Sequence, residues 1–321
     1  MAKVRVCEEI EECRHIWENH WPKTCLFDLW PVRACFQSHF NNPPYFLVAE
    51  KNEKIQGLLA LSWIDEIHSF GHFPGEIWQG KTWLEQNKIM ASNSNVFNKL
   101  MSHIPASSNI RYLTRESLRL SGEDLATDET GYLFFPKRYG YSFENYMQQF
   151  PGKSRKKLVR ELERLQSLGL KFRHDDMGDI SLLFRMNQEA FGEWSYFRDS
   201  RFLNSFEQLA VFLKNSGMLR ITTALLGGKV AAVDMGALYG STYTVLAGAT
   251  NPDFPGIAKL INFHHLDWAC KNGISTVDFL CGNFGWKERF RLTPRPLYAI
   301  NTFPKTDVLP VFAAQERQLR V

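Results

Sequence analysis

The 321-residue chain has no apolar run approaching the ~18 residues that a membrane helix requires. Its start, "MAKVRVCEEIEECRH", meets charged residues within a few positions, unlike a secretory leader, and a cytoplasmic protein is expected. The six cysteines, Cys7, Cys13, Cys25, Cys35, Cys270 and Cys281, form no CxxC pair, and the nine histidines offer no HExxH or comparable spacing. No metal is expected, and thiols scattered in this way read as buried and reduced. Adjacent His264 and His265 would point about 100° apart on a helix, a poor arrangement for sharing a metal. Also missing are a GxSxG elbow, a Walker loop, a GxGxxG turn and any Cys–His or Ser–His pairing. A covalent enzyme intermediate is therefore not the first choice. Hydrophobic residues at 44% and charged residues at 22% fit a soluble globular protein, and the net charge of +4 does not by itself mark a nucleic-acid binder.

What is present is organised around two hairpins. In "YFLVAEKNEKIQGLLALSWID" two apolar runs, Tyr45–Glu50 and Ile55–Trp63, flank the polar tetrad Lys51-Asn52-Glu53-Lys54. Further on, "LRITTALL" and "KVAAVDMGAL" flank Gly227-Gly228, a pair suited to the positive φ of a tight turn. "KVRVC" reads as a strand before a helix at "EEIEECRHIWENH", and "IRYLTRESLRL", "GYLFFP", "TYTVLAGAT", "TVDFL" and "PLYAINTF" read as further strands. The Gly- and aromatic-rich stretch from about Phe70 to Ala91 shows no period. Both halves run helix, strand, polar turn, strand, which suggests a repeat.

Between the halves lies "PGKSRKKLVRELERLQSLGLKF", with Leu158, Leu162 and Leu165 at i, i+4, i+7. Lys153, Arg155, Lys156, Lys157, Arg160 and Arg164 crowd its opening turns, where the helix dipole disfavours cations by a few tenths of a kcal/mol each. Lys156 and Lys157 are candidates for contact with a polyanion: cofactor phosphates, a tRNA end, or an anionic glycan or lipid carrier. A solvated face paired locally with Glu161 and Glu163 is the plainer alternative.

In "TYTVLAGATNPDFPGIAKLINFHHLDWACKNG" a strand passes through a Pro/Gly turn into a helix from Ile257 to about Asn272. The amides of Gly256, Ile257 and Ala258 open that helix and suit an anion, with Lys259 one turn in to add charge. The strand of "TVDFLCGNFGWKERF" then ends at Gly282, five residues before Lys287. These stretches, with the basic helix, resemble GNAT-superfamily acyltransferases of the BioF2-like (CelD/BcsL-type) branch, which are similar to the FemABX aminoacyltransferases. Asp278, Phe279, Gly282, Trp286 and Lys287 fall on the family's terminal pattern, while Asn283 stands where Asp is usual and Trp286 where Tyr is commoner. Of the Arg/Gln-x-x-Gly-x-Gly/Ala signature only Pro255-Gly256 is kept.

The resemblance implies an α+β fold of two tandem GNAT-like domains, each a mixed, mostly antiparallel sheet flanked by helices. The expected division is 1–150, a basic linker helix 151–172, and an acyltransferase domain 173–321. It implies transfer from acyl-CoA to an amine acceptor, a small molecule or glycan such as an amino sugar in envelope or exopolysaccharide metabolism. Lys287 would sit in the transfer site, where an ammonium can stabilise a carbonyl oxygen gaining charge, with Phe284 and Trp286 excluding water. The amides near Leu246 and Ala247 would polarise the donor carbonyl if that strand splays. Asp234, Glu193 and Asp278 are candidates for taking the amine's proton, and Tyr239 and Tyr243 for the acceptor pocket. Rival readings are an aminoacyl-tRNA-dependent transferase of the FemABX kind, the one case that brings in nucleic acid, and a non-catalytic relative that binds a carrier. A monomer or homodimer is expected.

Overall fold

The computed structural model describes residues 2–120, 127–282 and 285–302. The chain forms two compact units, one of Met1–Gly131, Cys281–Phe290 and Pro294–Val321, the other of Tyr132–Leu280 with Arg291–Thr293. The segment 281–290, which carries Lys287, therefore belongs to unit 1, whereas the basic helix belongs to unit 2.

Unit 1 begins with strand β1 (Lys3–Cys7), helices α1 (Ile10–His20) and α2 (Trp30–Phe40), and strands β2 (Pro44–Lys51), β3 (Lys54–Ile64) and β4 (Ser69–His72). Strand β5 (Met90–Ala91), helix α3 (Ser94–Met101), strand β6 (Asn109–Leu113) and strand β7 (Thr127–Phe134) follow. The order β1-β2-β3-β4 is antiparallel throughout, and β5 pairs with β3. The first expected hairpin is β2–β3, with Asn52 and Glu53 at positive φ in its two-residue turn. Alternation along β2 sorts its side chains. Phe46 and Val48 pack with Trp17, Trp21 and Trp30, and Leu47 and Ala49 pack with Val96, Phe97 and Leu100 of α3. Only the start of "IRYLTRESLRL" is strand; after Leu113 the chain turns into a 3-10 helix at Arg115–Leu118.

Unit 2 contains helices α4 (Phe143–Met147) and α5 (Gly152–Ser167), strand β8 (Lys171–His174), and helices α6 (Gly178–Phe191) and α7 (Ser200–Asn215). Strands β9 (Leu219–Leu226), β10 (Lys229–Tyr239) and β11 (Thr242–Thr250), helix α8 (Ile257–Lys271) and strand β12 (Thr276–Asp278) complete it. Strands β8 to β11 pair antiparallel in sequence order, β12 lies parallel to β11, and the end of β7 pairs antiparallel with β12. The second expected hairpin is β9–β10, with Gly227 and Gly228 at φ of 56° and 82°. One face of the sheet is covered by α5 and α8, where Leu165, Ile257, Leu260 and Ile261 pack on Ala224, Leu226 and Ala232. Helices α6 and α7 pack on β9, β10 and β11.

Short helix α9 (Trp286–Arg289) and strand β13 (Thr293–Asn301) end the described chain, and β13 pairs antiparallel with β6. The expected repeat is visible in the order of elements. Each unit runs strand, two helices, three antiparallel strands, helix and strand, from β1 to β6 and from β8 to β12, with the two-residue β5 added before α3 in unit 1. Among the described residues no helix is long and apolar enough to cross a membrane.

Candidate functional site

In unit 2 the strand β11, "TYTVLAGAT", is rich in small residues after Val245, and the pairing around it is uneven. Against β10, Ala247 faces Met235 and Val245 faces Gly236, so Leu246 is the extra residue of a β-bulge. On the other side, the parallel pairing with β12 covers only Thr242↔Thr276 to Thr244↔Asp278. Strand β11 then continues to Thr250, past the end of β12 at Asp278, so Leu246 and Ala247 have no β12 partner among the described residues. A bulge at an unpaired strand edge leaves backbone amides aimed away from the ladder.

Six residues separate β11 from α8. In this turn the Asp253 amide donates to Asn251 Oδ1 (2.9 Å), and the Ile257 amide donates to the Phe254 carbonyl (3.2 Å). Gly256 is the N-cap, at φ 93°, and no side chain caps the helix in its usual manner. The equivalent helix of unit 1, α3, is capped: Asn93 accepts from the Val96 amide. A carboxylate does reach the start of α8 from α5. A Cβ on Gly256 would lie 2.8 Å from Glu161 Oε1, and Glu161 Oε2 is 2.5 Å from Lys259 Nζ. Lys259 is thus engaged by Glu161, and Arg164 Nη2 donates to the Pro255 carbonyl (3.3 Å). Along α5, Lys153, Lys156, Lys157, Arg160 and Arg164 are exposed. At 100° per residue they share one face, opposite the stripe of Leu158, Leu162 and Leu165.

Beneath α8 lies a buried polar cluster. Asp234, in the middle of β10, is 5% exposed and its Oδ2 is 2.9 Å from Nε2 of fully buried His265. Tyr243 is fully buried, its ring 5.3 Å from His265 and 5.2 Å from Trp268, and burial beside Asp234 pushes its phenol well above the usual range. The Tyr243 hydroxyl, His265 Nδ1 and Thr222 Oγ1 have no hydrogen-bond partner among the described residues. Two glycines make room here. A Cβ on Gly236 would meet the Tyr243 hydroxyl at 2.5 Å, and one on Gly248 would meet Asp234 Oδ1 at 2.2 Å. Among the other sequence candidates, Glu193 is exposed in the 3-10 turn Gly192–Trp194, and Tyr239 is half-buried at the end of β10. Asp278 is buried at the end of β12, where its Oδ1 accepts from the Leu280 amide (2.9 Å).

Unit 1 holds Lys287. It is 3% exposed, and its ammonium donates to the Cys281 carbonyl (2.7 Å) and lies 5.9 Å from the Trp286 ring. The Cys281 amide donates to Glu85 Oε1 (2.5 Å), whose second oxygen meets Arg295 at 3.3 Å. Burial and the Glu85 carboxylate push the Cys281 thiol far up. Asn283 and Phe284 lie outside the described residues. Among the described residues no group of three or more His, Cys, Asp or Glu side chains is placed to hold a metal. Sequence reasoning named His265 and Glu161 without the partners they take, and it did not single out Glu85. Their partners stand 31, 98 and 196 residues away, so no local spacing signals them.

The acetyltransferase (GNAT) domain family matches residues 152–288, a span that includes α5, the β11 bulge, the α8 turn and Lys287. FemX matches across 92% of this chain and 98% of its own, with 10% identity and a TM-score of 0.56. L-PGS from Bacillus licheniformis matches across 95% of this chain and 94% of its own, with 12% identity and a TM-score of 0.55. A conserved protein of unknown function from Bacteroides thetaiotaomicron gives 10% identity and 0.57 over 92% and 98%. At such identities the likeness shows a common fold. No curated protein sequence matches the chain. Residues 152–288 therefore match the acetyltransferase (GNAT) domain family, and the chain has a fold shared with FemX.

Proposed function

We propose that this protein is an N-acyltransferase that moves an acyl group from acyl-CoA to an amine, with unit 2 holding the donor. One observation carries the reading: the bulge at Leu246 falls just past the end of the β11–β12 pairing, and the strand leads through a six-residue turn to a helix start with no side-chain cap of its own. Donor phosphates fit the amides of Gly256 and Ala258, that of Ile257 being engaged by the Phe254 carbonyl, and the donor carbonyl fits the amides near Leu246 and Ala247. An amine attacks that carbonyl, the C–N bond forms, and charge gathers on the oxygen, where fixed N–H donors stabilise it. The C–S bond then breaks, the amine gives up a proton, and the thiolate takes one.

A second reading has its own support. Glu161 lies against Gly256 and holds Lys259, and the exposed cations of α5 offer an extended anionic partner more than a single pyrophosphate needs. Both observations fit an aminoacyl-tRNA donor. Calorimetric titration with CoA, acetyl-CoA, a long-chain acyl-CoA and charged tRNA separates the two. Micromolar binding of acetyl-CoA that weakens in Gly256→Val supports the acyl-CoA reading, binding of charged tRNA alone replaces it, and no binding of either overturns both.

A further inference from the structure

We infer that Asn187 and the Asp234–His265 pair clamp strand β11 at Gly248 and thereby hold the carbonyl-facing amides at Leu246 and Ala247 in place. The inference rests on the reading above, in which those amides meet the donor carbonyl. An amide that stabilises developing charge must be fixed before the charge appears, because reorganisation during the reaction cancels the gain. Strand β11 is weakly placed to supply that rigidity. It carries a bulge at Leu246, and past Thr244 it has lost β12 on one side.

Gly248 is two residues beyond the bulge, and it is held by one group from a helix and one from the adjacent strand. From α6, Asn187 Nδ2 donates to the Gly248 carbonyl (3.0 Å). The Asn187 amide is itself oriented, because its Oδ1 accepts from Ser195 Oγ (2.7 Å), and Ser195 Oγ in turn accepts from the Phe197 amide (3.2 Å). Phe197 is buried against Phe184 and Phe206, so the chain of contacts ends in the apolar core.

From the neighbouring strand β10, where Asp234 stands directly opposite Gly248, comes the second contact. Asp234 Oδ1 occupies the space that any Cβ at position 248 would fill, at 2.2 Å, so the carboxylate lies against the Gly248 backbone. His265 Nε2 fixes the other oxygen at 2.9 Å. With Asp234 as acceptor, Nε2 carries the proton and the buried Nδ1 faces no partner. This makes Asp234 a positioning residue. Its carboxylate is enclosed and already bonded, and a base for an incoming amine must reach the amine directly or through one water.

The test uses the full-length chain and [1-13C]acetyl-CoA, whose carbonyl resonance moves downfield when donors polarise it. In the wild-type protein a downfield displacement is expected on binding. Asn187→Asp keeps the shape of the side chain but removes the donor, and His265→Leu removes the Asp234 partner. Both should shrink the displacement by at least half and leave the CoA dissociation constant within about twofold. In turnover, an error of about 1 Å in such positioning can cost on the order of 100-fold, so kcat should fall while the donor KM stays. His265→Gln, which restores an N–H donor, should recover most of the displacement. Hydrogen exchange at Leu246–Ala249 should also be at least tenfold faster in Asn187→Asp without any ligand. A half-buried Asn187 substitution tests the clamp even if His265→Leu fails to fold. Variants that bind acetyl-CoA with the full displacement and unchanged exchange overturn the clamp alone. A wild-type protein that binds no acetyl-CoA overturns the donor reading and the purpose of the clamp with it.

Discussion

At the scale of single residues, burial decides which polar groups can change charge. His264 stacks on Phe172 with ring centroids 3.7 Å apart. Burial, helped by the charges of His265, His174, Arg220 and Lys271, pushes it down to about 3. A histidine held neutral when folded binds its proton more readily when unfolded. Its contribution to stability is whole above the ordinary value near 6.5 and is lost as pH falls from there toward 3. Urea unfolding between pH 7 and pH 4 should therefore show stability declining with acid, and His264→Phe should flatten that decline; equal slopes would refute the assignment. Gly248 makes a different prediction. A methyl at 2.2 Å from Asp234 Oδ1 forces the carboxylate away from its site, so Gly248→Ala should lower stability by about 1–3 kcal/mol in urea titrations, the usual cost of overpacking. Little of this was readable in the sequence. Asp234 was named as a candidate to take the amine's proton, but its partner His265 sits on another element, and only folding brings the two together.

At the scale of elements, the parts that could be read were those whose chemistry is local. Gly227-Gly228 and Asn52-Glu53 supply positive φ, and both hairpins stand where those residues put them. The stretch from Phe70 to Ala91 was opaque because most of it belongs to no ladder. Side chains hold it instead: Glu76 Oε1 accepts from Thr82 Oγ1 and from the amides of Trp83 and Leu84, and Asn87 exchanges backbone hydrogen bonds with β6 and its edge. No periodic pattern records such contacts. Helix α5 joins both kinds of information. Its leucine stripe predicted one buried face, and Leu165 is 1% exposed in the unit 2 core, so Leu165→Ala should cost about 2–5 kcal/mol. Its opposite face should matter to binding and not to folding. Lys156→Glu with Lys157→Glu should leave thermal stability nearly unchanged, weaken binding of the phosphate-bearing donor, and reduce the salt dependence of what remains. An affinity that keeps its wild-type salt dependence would leave this face a solvated surface.

At the scale of the whole molecule, the order of elements was legible as a repeat, but the cut between the two copies was not. Boundaries drawn along the sequence assume that each unit is one continuous stretch, and strand exchange breaks that assumption without changing any local pattern. Unit 1 takes β13 from the far end of the chain, and Leu297 and Ile300 are buried there, whereas unit 2 takes the end of β7. The two units should therefore behave differently as fragments. Unit 2 is continuous from Tyr132 to Leu280 and includes every strand from β8 to β12, so a 132–293 fragment should unfold cooperatively in circular dichroism melts. A 1–150 fragment lacks β13, leaves β6 as an unpaired edge, and exposes Ile110 and Leu113, which pack with Ile300 in one cluster. It should be poorly folded or aggregate, and a synthetic peptide of residues 293–302 added in trans should restore part of its order. A cooperative melt from 1–150 alone would show that the first unit does not depend on its borrowed strand.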